Sequence, residues 1–170
     1  MSKFTIDQQE LDGLKIVKVM KELRRRLEVP FPGLVEMGWI HLYLEHRPDN
    51  QWPLVTIESY TDDNAMQASG NGKHSDEIRV RLTVKMSSND PIDPDSQLRY
   101  LLFKTRQALF AQPGPRSEYY RHLLTPTGER LLTSPMGEKQ PAQFTLPEPG
   151  LPYASVHLSL DLDFVEHYHE

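Results

Sequence analysis

Asp161 and Asp163 are the first residues in this chain whose type and spacing could do chemistry. They fall on one side of an unbroken alternation from Ala154 to Phe164. On a strand their Cα atoms would lie roughly 6.5–7 Å apart, a separation at which paired carboxyl groups can bind a cation or share acid and base work. Nothing nearby marks a cleft, so the expectation is an exposed or interfacial pair. His167 and His169 form a second close pair, flanked by Glu166 and Glu170. Two ligands could share one side of a strand, but no HExxH helix and no third ligand at a telling spacing accompany them. No metal and no cofactor are therefore expected.

Other chemistries lack their residues. The chain has no cysteine, which removes disulfides, thiolate nucleophiles and cysteine-bound zinc together. There is no GxSxG elbow and no SxxK pair. Ser69-Gly70-Asn71-Gly72-Lys73 has the glycines of a phosphate-cradling loop. His74 follows in place of Ser or Thr, and the strand–loop–helix context is missing. The reading is a protein that is not an enzyme.

Charge narrows the partners. The net charge of −5 over 170 residues gives no general footprint for a phosphate backbone. Arg79, Arg81 and Lys85 share one side of a second regular strand, Glu77 to Met86. If that strand neighbours the closing one, their polar sides set arginine and lysine against Asp161 and Asp163, as cross-strand or intersubunit pairs. Arg24, Arg25 and Arg26 read as a solvated helix end that complements the helix dipole.

The elements that would hold these residues follow from periodicity. A helix is expected from Asp7 to Glu28, with Leu14, Val17, Leu23 and Leu27 as its stripe, Ile16 and Met20 beside them, and Asp7 as cap. Pro30-Phe31-Pro32-Gly33 ends it. A hairpin is expected from Val35–Arg47 and Leu54–Tyr60, with Trp39, His41 and Tyr43 on one face. Thr61 to Asp76 lacks periodicity and reads as a mobile loop or an extended hairpin tip, with a tight turn at Asn71-Gly72. A second helix is expected from Asp93 to Ala111, burying Leu98, Leu101, Leu102, Thr105 and Leu109. Between Arg116 and Pro152 the pattern supports a short turn at Tyr119–Leu124, an arm at Gly128–Thr133 and a short strand at Gln143–Leu146. The closing strand should have one dry face and one wet face, and the tail beyond it should fray.

The fold class that accommodates these stripes is α+β in two layers. A mainly antiparallel sheet is packed on one face by two helices, in the order α-β-β-β-α-β, as a single domain over 1–170 with an inserted loop or hairpin at 116–152. No run approaches a membrane span, and the opening MSKFTIDQQELDG has no apolar signal-peptide core. The expectation is assembly in the cytoplasm.

In this arrangement the chain resembles the tail terminator, or tail completion, proteins of long-tailed bacteriophages. The likeness rests on several features together. The first helix runs into Pro30-Phe31-Pro32-Gly33, and the strand Pro53–Ile57 is followed by a long polar segment, Asp62 to Asp76. The strand Ile78–Val84 leads through Asp93 to the helix Leu98–Phe110, and Ala154–Phe164 closes the order. It covers about two thirds of the chain and is a likeness of pattern rather than of a signature motif.

The resemblance implies a hexameric ring that caps the finished tail tube, stops its polymerisation and meets the neck or head-completion protein. It implies location in the virion tail, DNA passing through the ring without sequence-specific binding, and no catalytic residues. Another phage neck, connector or adaptor protein remains as an alternative. So does a small-molecule-binding or enzymatic α+β domain built around Trp39, His41 and Tyr43. Contact surfaces are expected at Arg79, Arg81, Lys85, Asp161 and Asp163, and on the segment carrying Asp62, Asp63 and Lys73.

Overall fold

The computed structural model describes residues 3–38, 44–111, 118–145 and 147–168. Three helices, α1 (Gln8–Gly13), α2 (Lys15–Glu28) and α3 (Pro94–Phe110), accompany five strands. The strands are β1 (Val35–Met37), β2 (Leu54–Met66), β3 (Asn71–Lys85), β4 (Gly137–Thr145) and β5 (Tyr153–His167). They form one open sheet in the order β1-β2-β3-β5-β4. Among the described residues only the β1–β2 pair is parallel. The fold is α+β.

The alternation of the closing strand becomes the middle of the core. Ala154, Val156, Leu158, Leu160, Leu162 and Phe164 are all buried. Their neighbours on β3 are Ile78, Val80, Leu82 and Val84, with Leu82 opposite Val156 and Val80 opposite Leu158. Val19, Leu23 and Leu27 of α2, with Leu98, Leu101, Leu102 and Leu109 of α3, complete the same cluster. Each fully buried side chain of this size contributes roughly 1.5–3 kcal/mol, so β5 is the strand the fold can least lose. The α3 helix takes the expected stripe and cap: Asp93 accepts from the Ser96 N–H at 2.8 Å.

Several expectations need correction. The first helix is two. Leu14 is extended (φ −65°, ψ 136°) between them. Gly13 weakens the helix just before it. The Lys15 N–H freed at the start of α2 then donates to Glu166 Oε2 of β5 at 2.8 Å, a cap supplied by the sheet. The buried stripe of α2 is Val19, Glu22, Leu23, Arg26 and Leu27, whereas Leu14 is exposed. β1 and β2 do not form a hairpin: β1 ends at Met37 and runs parallel to β2, Val35 beside Val55. Trp39, His41 and Tyr43 lie outside the described residues.

Of the two readings of Thr61–Asp76, a mobile loop or an extended hairpin tip, the structure has the second. β2 and β3 continue as a ribbon out to Met66 opposite Gly72. The turn is Gln67–Gly70, closed by Gly70 N–H to Gln67 O at 3.0 Å, with Gly70 at φ 88°. Asn71-Gly72 begins β3 instead of bending it. The 116–152 segment contributes a 3-10 turn at Tyr120–His122 and an edge strand, β4, longer than expected. β5 stays paired to His167, opposite Asn71, so the strand outlasts the predicted fraying point.

The outer face of the sheet is not wet. Thr56, Glu58, Thr83, Ser155, His157 and Ser159 are buried there. Arg79 stands opposite Ser159 and Arg81 opposite His157, and the Arg79 guanidinium lies 3.4 Å from the centre of the Tyr60 ring. Long amphipathic side chains shelter the short polar ones beneath them.

Candidate functional site

The expected interface residues share one sheet but do not oppose as foreseen. β3 and β5 are indeed neighbours, yet Glu77 faces Asp161 and Ser75 faces Asp163. The basic residues find acids elsewhere. Arg81 Nε donates to Glu58 at 3.2 Å, Arg79 Nε lies 3.6 Å from Glu77, and Lys85 Nζ donates to Asp49 at 2.8 Å. The direct Arg/Lys–Asp161/Asp163 pairing is therefore overturned. Antiparallel register fixes this outcome: it sets the basic half of β3 against the Tyr153–Ser159 half of β5.

The charges on the outer face are sorted lengthwise. Lys85, Arg81 and Arg79 occupy one end. Glu77, Asp161 and Asp163 occupy the other, with Asp63 level with Asp163 and Lys73 further out on the ribbon. The acidic end is incompletely satisfied: Glu77 Oε2 and Asp161 Oδ1 are buried atoms without a hydrogen-bond partner. Between the ends, burial pushes the His157 imidazole pKa down, and the nearby Arg79 and Arg81 push it the same way. That imidazole is neutral at pH 7, and its Nδ1 also lacks a partner.

The two sheet edges differ. Among the described residues, β1 accompanies β2 only at Val55–Ile57, leaving the β2 edge from Glu58 to Met66 without a neighbouring strand. Every residue from Ser59 to Ser69 is exposed. The opposite edge, β4, carries Pro141 and two register irregularities, devices that discourage strand addition. The open edge is the one made from Asp62 and Asp63.

On the helix-side face of that ribbon, four side chains converge. His74 Nδ1 lies 2.5 Å from Asp62 Oδ1 and 3.7 Å from Asp76 Oδ1. His74 Nε2 lies 2.5 Å from the Tyr168 hydroxyl. The ring stacks on Phe164, with centroids 4.8 Å apart and planes 2° from parallel. Gly72 makes room for this arrangement. A Cβ there would run into the Tyr168 ring and the Asn64 amide. Burial, and then the Asp62 carboxylate beside it, push the Asp76 carboxyl up to about 8. Asp62 moves down, held by its hydrogen bond with Asp76 and by His74. His74 and Asp76 lie two apart on β3, a spacing that sets them on one face, but Asp62 sits 12 and 14 positions away on β2 and is brought in only by strand pairing.

A second feature escaped the sequence. Arg26 is buried, its side chain 1% exposed. Nε donates to Glu22 at 3.1 Å, and Nη1 and Nη2 donate to the carbonyls of Leu109 and Leu124, both at 3.2 Å. Its guanidinium lies 3.7 Å from the centre of the Tyr120 ring. The third arginine of the run is thus a structural clamp, while Arg24 and Arg25 keep the exposed role. Apolar surface remains on the outward side of α3, where Tyr100 and Phe103 are about 60% exposed. Among the described residues no helix is long and apolar enough to cross a membrane.

Neither comparison with protein-family models nor comparison with curated proteins gives a match to this chain.

Proposed function

We propose that this protein is a structural subunit of a bacteriophage or prophage tail. Six copies close into a ring that caps the tail tube, ends its polymerisation and presents a surface to the neck. Assembly takes place in the host cytoplasm, and the finished ring resides in the virion tail. The reading starts from the resemblance in element order and is supported most by one observation: the exposed β2 edge from Ser59 to Met66, which no strand among the described residues covers. A ring needs a heterologous contact, in which one surface of a subunit meets a different surface of the next. An open edge on one flank and a blunted edge on the other provide two unlike surfaces.

Charge and apolar area support the same reading. Asp161 and Asp163 stand at the opposite end of the outer face from Lys85 and Arg81, so rotation between subunits can bring acid of one copy towards base of the next. Such complementarity fixes register more than it adds affinity. Tyr100 and Phe103 on α3 offer the apolar component that a stable interface needs.

The test is function at the tube end. Tail tubes assembled from the cognate tube protein are incubated with the protein, sedimented and imaged. The proposal expects density at one end of each tube and a halt in further growth. Tubes that continue to lengthen, with the protein left in the supernatant, would overturn it.

A further inference from the structure

We propose that Asp62, His74 and Asp76 form a site for a divalent transition metal of the zinc class. The potential ligand atoms, a carboxylate oxygen from each aspartate and Nδ1 of the histidine, all lie within 4.8 Å of one another. In a tetrahedral zinc site with bonds of about 2.0–2.2 Å, ligand atoms sit roughly 3.3–3.5 Å apart. Asp62 would withdraw from His74 by about 1 Å and Asp76 would close by a few tenths of an ångström to reach that geometry. Asp62 can make that movement because its side chain is 61% exposed. The same exposure leaves a fourth position open to water.

A second observation, independent of proximity, points to a cation. Asp76 has only 7% of its side chain exposed, and its Oδ1, the atom turned towards His74, has no hydrogen-bond partner. Burying a carboxylate oxygen unpaired is costly unless a charge or donor meets it. A divalent ion would meet it and would balance the two carboxylates.

The surroundings are also those of a ligand histidine. Phe164 fixes the plane of the His74 ring. Tyr168 engages Nε2, which orients the ring and leaves Nδ1 for the metal, the usual division between the two nitrogens of a metal-bound imidazole. One histidine and two carboxylates with an open position suit zinc, and also manganese or iron(II). Zinc is the ion to test first because a four-coordinate site needs only these three ligands and one water. The bound ion would tie β2 to β3 midway along the ribbon, with Tyr168 linking the end of β5. It does not depend on ring formation.

The experiment uses the full chain after chelator treatment. Zinc is titrated calorimetrically, and cobalt(II) is followed by visible absorption. The expected result is one equivalent per chain, with the bands of four-coordinate cobalt. Asp62→Ala changes an exposed side chain and should leave the circular dichroism spectrum intact while removing stoichiometric binding. Asp76→Asn should do the same, and Tyr168→Phe should weaken zinc by about tenfold. Absence of saturable uptake would overturn the proposal. So would uptake that survives Asp62→Ala and Asp76→Asn but disappears with His167→Gln.

Discussion

Replacing Arg26 should destabilise this protein more than any other change to its arginine run. The side chain spans three parts of the molecule: Glu22 one turn earlier on α2, the Leu109 carbonyl in the last turn of α3, and the Leu124 carbonyl beyond the Tyr120–His122 turn. In Arg26→Met the volume is roughly kept but every donor is lost. Two buried carbonyls then lose their donor, at about 1–3 kcal/mol each, and the stacking on Tyr120 contributes about 1–2 kcal/mol where solvent is excluded. Glu22 keeps Arg25, which donates to it at 2.8 and 2.6 Å. That residual pair holds the total to about 3–5 kcal/mol, the range for breaking one partner of a buried pair.

Burial lowers the Arg26 pKa, but arginine remains charged at any working pH, so the loss should not depend on pH near neutrality. Arg26→Lys keeps the charge without the planar fork and should recover no more than about half of the loss. The assay is urea denaturation followed by tryptophan fluorescence and circular dichroism, comparing midpoints at constant slope. Arg24→Met, at an exposed position of the same helix, is the control and should stay within about 0.5 kcal/mol of the parent. A loss below about 1 kcal/mol for Arg26→Met would refute the clamp.

Three further outcomes follow from other parts of the structure. In metal-free buffer Asp76 should make stability fall with rising pH. Its folded pKa of about 8 lies above the ordinary 3.8, so the unfolded chain releases the proton first. The contribution is whole below about pH 4 and gone above about pH 8. The full difference sets a ceiling of roughly 6 kcal/mol. Exposed Asp62, which titrates in the opposite sense, brings the contribution below that ceiling. Denaturation midpoints between pH 4 and 8 should therefore flatten in Asp76→Asn, and an unchanged pH slope would argue against the buried acid. Gly72→Ala should displace Tyr168 from His74, costing about 1 kcal/mol or less because the obstructing groups are side chains that can move. The His74 ring signals in NMR should shift, and unshifted signals would contradict the close approach. Asp161→Lys combined with Asp163→Lys should abolish self-association while leaving the monomer folded, read by light scattering and circular dichroism.

The legible parts of the fold were those where one face is dry. The β5 alternation, the β3 alternation and the α3 stripe each mark burial against a single apolar layer, and period alone identifies them. The β2–β3 ribbon is only half legible for the converse reason: its sequence does not separate an extended hairpin tip from a mobile loop. Thr61 to Met66 is exposed along its length, so no hydrophobic period records it. Backbone pairing and the turn at Gln67–Gly70 hold it instead. Parallel pairing of β1 is equally silent, since three residues carry too little pattern to show direction.

The candidate sites divide along the same line. Arg79, Arg81, Lys85, Asp161 and Asp163 could be assigned to one sheet face from parity. Their partners could not, because register decides whether Asp161 meets Arg79 or Glu77. Arg26 was misplaced because charge predicts exposure unless the acceptors are known, and two of its acceptors are carbonyls 83 and 98 positions away. Among seven histidines His74 is unmarked in the sequence because, although Asp76 lies two positions along the same strand, Asp62 reaches it only through the pairing of β2 with β3.

The ring itself is the claim with most at stake, and the mass of the protein in solution tests it most directly. Light scattering coupled to size exclusion, from micromolar concentration upwards, should give roughly 118 kDa, six times the 19.7 kDa chain, with closed rings in images of the same fraction. A mass of 19.7 kDa across the whole concentration range would contradict the account.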